Sequence, residues 1–224
     1  MRLLIAVKSC ESHRVAGYHD VIMNTWGRDV PLNADLRFFT GSTEKFTPSG
    51  PESGWDVCLG APDDYMSLPR KTKAIIGWSL WNQYDYTFLC DTDTFIIPSR
   101  LVRTDYDKYD YAGRFGLKPA IGTTFRYEDP KQIIMNCHPW ASGGIGYFLS
   151  RKAAELIVRA EPTIWAEDMF VGQTLGPLIQ KGEITAYDIP GFECSIAWHF
   201  PRRRFNATYD PKFNWMEEMY AKYK

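Results

Sequence analysis

Every side chain from Leu3 to Val7 in the N-terminal run Arg2-Leu3-Leu4-Ile5-Ala6-Val7-Lys8-Ser9 is apolar. A strand that is apolar on both alternating faces has no side to offer water, so it belongs inside a mostly parallel sheet with helices over both faces. Parallel neighbours need crossovers of about a dozen residues or more, usually helical, and the chain supplies them. Ser12 to Trp26 places Val15, Tyr18, Ile22 and Trp26 at helical spacing, with Gly27 at the C-cap position. LRFFTG at 36–41 reads as a second strand, and the Gly, Pro, Ser and Thr of 41–54 as a surface loop. A helix is predicted from about Pro69 to Gln83, with Ala74, Ile75, Trp78 and Trp81 on one side. It feeds a strand at 86–93. Further along come a strand at 109–115, a glycine-rich element at 141–149, and a helix from Ser150 to about Ala160 that Pro162 stops. A last helix is predicted near 167–180, and after Pro190 the chain turns irregular and aromatic. The expected class is therefore α/β, a Rossmann-like, mostly parallel mixed sheet flanked by helices, with its ligand outside the carboxyl ends of the strands. With 224 residues and neither repeat nor linker, one domain over 1–224 is expected.

Charge excludes one class of partner. Twenty-six Lys and Arg against 27 Asp and Glu leave a net charge of −1, without the basic excess that nonspecific nucleic-acid binding requires. The five cysteines are widely spread and lack CxxC spacing, which points to reduced thiols instead of a zinc knot or disulfide framework. No apolar run reaches the roughly 18 residues that span a bilayer, and the first strand begins at once in place of a signal peptide. A cytoplasmic location is thus expected, unless the chain is a domain cut from a lumenal or larger protein. The sequon Asn206-Ala207-Thr208 would matter only in a secretory lumen.

The chemistry is concentrated in FLCDTDTFI at 88–96, an apolar strand that ends in two carboxylates spaced i and i+2. Side chains alternate along an extended chain, so Asp91 and Asp93 face one side and can hold a hard cation such as Mn²⁺ or Mg²⁺, which takes oxygen ligands and bridges phosphates. A second acidic pair, Glu167-Asp168, opens a later helix. His199, in Ala197-Trp198-His199-Phe200, either completes a cation site or serves as a partly buried structural histidine. Ser142-Gly143-Gly144-Ile145-Gly146 offers backbone that can approach a ligand closely but lacks the Walker and Rossmann spacings. Aromatic residues make up 15% of the chain, enough to stack on flat ligands or the apolar faces of sugars as well as to fill a core.

These pieces occur in a particular order. The first strand is followed by Thr25-Trp26-Gly27, Tyr65-Met66-Ser67-Leu68-Pro69-Arg70-Lys71-Thr72 and Asp91-Thr92-Asp93. His138-Pro139-Trp140-Ala141-Ser142-Gly143-Gly144-Ile145-Gly146-Tyr147-Phe148-Leu149-Ser150 comes next, then Glu167-Asp168-Met169-Phe170-Val171-Gly172 and Trp198-His199-Phe200. Over roughly residues 3–200 the sequence resembles the β-1,3-galactosyltransferase and Fringe-like group of inverting glycosyltransferases, whose fold is of the GT-A kind.

The resemblance implies a UDP-sugar donor held by Mn²⁺ or Mg²⁺, and transfer of a hexose or N-acetylhexosamine, galactose favoured, to a glycan or glycoprotein hydroxyl. By position, Asp93 would be the principal metal ligand, Asp91 would contact metal or ribose, and His199 would be the C-terminal ligand. Lys71 would contact the nucleotide or diphosphate, with Lys73 as the competing alignment, and Thr92 would sit in the donor site. Gly143 and Gly144 would shape the sugar pocket by close backbone approach and Trp140 by stacking; a core aromatic is the other reading of Trp140. Asp168 would be the catalytic base, and Glu167 would be structural or bind acceptor. Residues 190–224 are expected to close over the donor site. The Arg-rich first helix common in that group reads Tyr18-His19-Asp20-Val21-Ile22-Met23-Asn24-Thr25-Trp26 here, a departure from the group, so donor contacts from that helix are not carried over. A catalytically silent carbohydrate-binding module and a metal-dependent phosphohydrolase are the rival classes.

Overall fold

A computed structural model describes residues 1–42, 54–115, 125–126, 133–134, 138–200, 210 and 214–224. The sequon, Cys137 and the side chain of Cys194 lie outside the described residues. Strand β1 (Leu3–Lys8) lies inside a seven-stranded sheet, next to its central strand. It is flanked by β2 (Ala34–Gly41) and then β3 (Asp56–Leu59) on one side, and by β4 (Tyr86–Asp91) on the other. Past β4 come β9 (Tyr147–Ser150), β6 (Tyr111–Gly113) and β10 (Ala186–Asp188). Every pairing is parallel except those of β9, which is antiparallel to both its neighbours. This is the mostly parallel, mixed α/β sheet that the apolar runs predict.

Alternation along β1 splits the core in two. Leu3, Ile5 and Val7 pack on one face with Phe38, Phe88, Cys90 and Phe148, while Leu4 and Ala6 pack on the other with Phe39, Leu89, Tyr147 and Leu149. Helix α2 (Tyr18–Asn24), the 3₁₀ turn at Trp26–Asp29 and the C-terminal helix α8 (Trp215–Tyr223) supply the first face. Helices α3 (Leu68–Trp81), α5 (Arg151–Arg159) and α6 (Glu167–Gln180) supply the second.

The predicted helix over 12–26 is two helices. Helix α1 (Glu11–Val15) ends before Gly17, whose φ of 90° is left-handed and comfortable only for glycine. The break turns Val15 to solvent while Tyr18, Ile22 and Trp26 stay buried. In α3 the buried stripe is Thr72, Ile75, Ile76 and Ser79. Trp81 is 86% exposed because six residues past Ile75 places it about 240° around the helix. The segment after Pro190 is more regular than its composition suggests: it forms α7 (Phe192–Ser195), β11 (Ala197–His199) and α8. Strand β11 pairs antiparallel with β5 (Thr94–Ile96), and this second small sheet sets His199 opposite Thr94. Further elements among the described residues are α4 (Pro98–Leu101), 3₁₀ turns at Tyr65–Ser67 and Asp105–Lys108, and the antiparallel pair β7 (Phe125–Arg126) and β8 (Ile133–Ile134).

Candidate active site

Strand β4 delivers Asp91 to the carboxyl edge of the sheet, and the turn into β5 holds Asp93, which is 2% exposed. Two hydrogen bonds fix that turn: the Asp91 N–H donates to Thr94 Oγ1 at 3.2 Å, and the Thr94 hydroxyl donates to Gly144 O at 2.5 Å. The β5–β11 pairing brings His199 Nε2 to 3.0 Å from Asp93 Oδ1, and the Phe200 N–H donates to Asp93 O at 2.9 Å. One ligand atom from each of Asp91, Asp93 and His199 lies within 4.8 Å of the other two, an arrangement able to hold a metal ion. Two carboxylates and an imidazole suit Mn²⁺ or a similar borderline-hard divalent cation. The space beside the imidazole is kept by Gly144, where an added Cβ would stand 3.0 Å from His199 Nε2 and Cδ2.

The acidic pair stands on the first turn of α6, and both members reach Gly143. Glu167 is 3% exposed and turns inward: Oε1 is ion-paired with Lys8, and Oε2 accepts from the Tyr147 hydroxyl at 2.6 Å. Asp168 is only half-buried, and Oδ2 accepts from the Gly143 N–H at 3.1 Å while Oδ1 accepts from the Met169 N–H at 2.8 Å. Burial pushes both carboxyls above their ordinary range. Lys8 and hydrogen bonds oppose the rise in both cases, the bonds coming from Lys8 and Tyr147 at Glu167 and from Gly143 and Met169 at Asp168. An aspartate raised in this way is a better proton acceptor than one in water.

Lys8 is the residue that the sequence pattern overlooks. Burial alone would lower its affinity for a proton, but Asp91 and Glu167 more than offset that and hold the ammonium above its usual value. The available signal was its position, because a lysine that ends a wholly buried strand must meet counter-charges.

The remaining predicted residues lie around this centre. Thr92 Oγ1 shares a 2.7 Å hydrogen bond with His13 Nδ1. Lys71 is buried, donates to Ser9 O at 2.8 Å and is ion-paired with Asp63 Oδ1 at 2.6 Å. Asp63 also accepts from the N–H groups of Glu11 and Gly41, so the Lys71–Asp63 pair ties together the loops that follow β1 and β2. Lys73 reaches away to Glu161 at 3.4 Å. Trp140 is half-buried, packed with Ile164 and Trp165 against Ala166 and Met169 at the start of α6. It crowds α6 closely enough that a Cβ at Gly172 would stand 2.6 Å from its own Cβ. The structure thus brings Asp91, Asp93, His199, Gly143, Gly144, Glu167 and Asp168 to one edge, and it directs the amines of Lys71 and Lys73 into ion pairs with Asp63 and Glu161.

No family model matches the chain, and no curated protein matches it. One of the 190 matching chains of solved structures is a protein of Desulfovibrio desulfuricans G20 titled a "putative nucleotide-diphospho-sugar transferase". It is 14% identical with a TM-score of 0.45, covering 84% of this chain and 79% of its own. At that level of likeness the functional reading rests on the geometry of the chain itself. No helix among the described residues is long and apolar enough to cross a membrane.

Proposed function

We propose that this chain is a metal-dependent, inverting glycosyltransferase of the GT-A kind. It moves a hexose or N-acetylhexosamine, galactose by preference, from a UDP-sugar to a hydroxyl of a glycan or glycoprotein. The observation that carries the reading is the meeting of two groups at one sheet edge: the cluster of Asp91, Asp93 and His199, and the Asp168 carboxylate, both against the Gly143-Gly144 backbone. The same backbone touches both, since Gly144 borders His199 and the Gly143 N–H holds Asp168.

Asp91, Asp93 and His199 would hold the divalent cation, which when bound supplies Lewis-acid stabilisation of the negative charge on a departing diphosphate. Asp168 takes the proton from the acceptor hydroxyl as its oxygen attacks the anomeric carbon from the face opposite the diphosphate, so a single displacement inverts the configuration. Two backbone N–H groups orient Asp168 and leave its remaining lone pairs for that proton. Gly143 and Gly144 let the sugar approach main chain, and Trp140 stands beside the helix that carries the base. We also assign 1–224 to one catalytic domain whose C-terminal part closes the donor site. Supporting this, β11 contributes His199, and Trp198 and Phe95 both lie against Tyr223 of α8.

A panel of UDP-sugars incubated with the protein and Mn²⁺, with and without EDTA, tests the proposal. Metal-dependent UDP release, lost in Asp93→Ala and reduced in His199→Ala at unchanged melting temperature, is expected. The expected loss of Mn²⁺ affinity in His199→Ala is about 10- to 100-fold. Release of inorganic phosphate would mean a phosphohydrolase, and sugar binding without either product would mean a binding module. Either result overturns the proposal.

A further inference from the structure

The ammonium of Lys8 serves two carboxylates. Nζ stands 3.1 Å from Asp91 Oδ1, is ion-paired with Glu167 Oε1 and donates to Gly143 O at 3.3 Å, with the side chain 2% exposed. The Glu167 end is fixed, because the Tyr147 hydroxyl donates to Oε2 and the aromatic ring of Tyr147 lies 5.9 Å from the ammonium. The Asp91 end is a third exposed and belongs to the group of three candidate ligands. Asp91 Oδ1 therefore already has a positive partner, and any cation between Asp91, Asp93 and His199 meets a like charge a few ångströms away.

We propose that Lys8 is a positioning residue that shares Asp91 with the bound cation, and that Glu167 sets the affinity for that cation by drawing Lys8 back from Asp91. The inference rests on the cation reading of the site given above. Glu167 is not a ligand in this scheme: both of its oxygens are engaged elsewhere. It acts by charge. With Glu167 neutral, the whole positive charge of Lys8 falls on Asp91, and a unit charge about 5 Å from a divalent cation weakens its binding roughly tenfold even under water-like screening.

The test is a double-mutant cycle read as Mn²⁺ affinity, by the electron paramagnetic resonance signal of free Mn²⁺, on the full chain without donor. Glu167→Gln is expected to weaken Mn²⁺ binding about tenfold. Lys8→Met added to it is expected to restore the affinity to within about threefold of wild type, or tighter, because the repelling charge is gone. A purely structural role predicts the opposite, since removing a second buried partner would leave binding as weak as in Glu167→Gln or weaker, and that result overturns the proposal. If Glu167→Gln does not fold, the charge-balanced Lys8→Met/Glu167→Gln protein still decides against wild type: near-equal or tighter Mn²⁺ binding supports the proposal, and a loss beyond tenfold overturns it. Mn²⁺-dependent UDP release by wild type together with an additive cycle would refute the role of Lys8 alone. Absence of Mn²⁺ binding from every variant would refute the cation reading and this inference together.

Discussion

Position 143 has no room for a side chain. A Cβ built on Gly143 lands well inside 3.0 Å of Glu167 Oε1 and 3.2 Å from Asp168 Cβ. The far end of a glutamate ordinarily swings aside at little cost, but here Lys8 holds one oxygen and Tyr147 the other. In Gly143→Ala the strain therefore falls on the backbone at 143 or on the first turn of α6, which must yield by about an ångström. Over-packing of this kind costs about 1–3 kcal/mol, or roughly 3–10 °C in melting temperature for a chain of this length. The displaced turn carries Asp168, and misplacing a reacting group by about 1 Å costs on the order of 10² in rate. Asp93 and His199 are held by the β5–β11 pairing, and only the Lys8–Glu167 pair beside Asp91 is disturbed, so Mn²⁺ affinity should fall by no more than about tenfold, less than turnover. The assay combines a circular-dichroism melt, Mn²⁺ titration and UDP release with the best donor. Wild-type melting temperature and turnover in Gly143→Ala would refute the claim that this glycine seats the acidic pair, and equal losses of Mn²⁺ affinity and turnover would show that the two halves of the site are not held separately.

Asp168→Asn keeps the shape but only one of the two acceptor oxygens that the Gly143 and Met169 N–H groups use, and it removes proton-accepting capacity, so donor Kd should stay within a few-fold while kcat falls by about 10²–10⁴; equal kcat would remove Asp168 from the mechanism. His19, hydrogen-bonded to Ser9 Oγ at 2.6 Å and Asp56 Oδ1 at 2.7 Å, is pushed by burial below its ordinary value of 6.5, although Asp56 opposes the shift. The unfolded chain then binds more protons than the native one just below pH 6.5, so this contribution to stability is present at higher pH and is lost as pH falls through 6.5. The stability difference between wild type and His19→Gln should shrink from pH 8 to pH 5, and parallel melting curves across that range would refute it. Gly77 lies inside α3 with open space where a Cβ would go, so Gly77→Ala should stabilise the fold by about 0.5–1 kcal/mol; a lower melting temperature would contradict this.

Period and polarity were enough to fix the layer architecture. An apolar strand without a wet face requires covered parallel neighbours, and β1 with its alternating halves of core has them. Strand β4 ends with Asp91 at the carboxyl edge, and the 167–180 helix carries its acidic pair at the start, as their sequences predict, whereas Asp93 is set by the turn into β5 and not by alternation along the predicted strand 86–93. What periodicity could not supply were contacts between elements far apart in the chain. That His199 stands 3.0 Å from Asp93 depends on β11 pairing with β5 across about a hundred residues. Lys71, Lys8 and Glu167 were decided in the same way. Each is an ion whose role follows from the counter-charge it meets, and Asp63 eight residues from Lys71 and Glu167 159 residues from Lys8 are partners that no local spacing announces. The exposed Trp81 and Val15 differ for another reason, because which face of α3 turns to the sheet, leaving Trp81 about 240° from buried Ile75, and one left-handed glycine decide which side of an amphipathic stretch is buried. Strand and helix type are set by short-range sterics and burial, whereas the chemistry of a charged side chain depends on which opposite charge the folded chain places within about 3 Å of it.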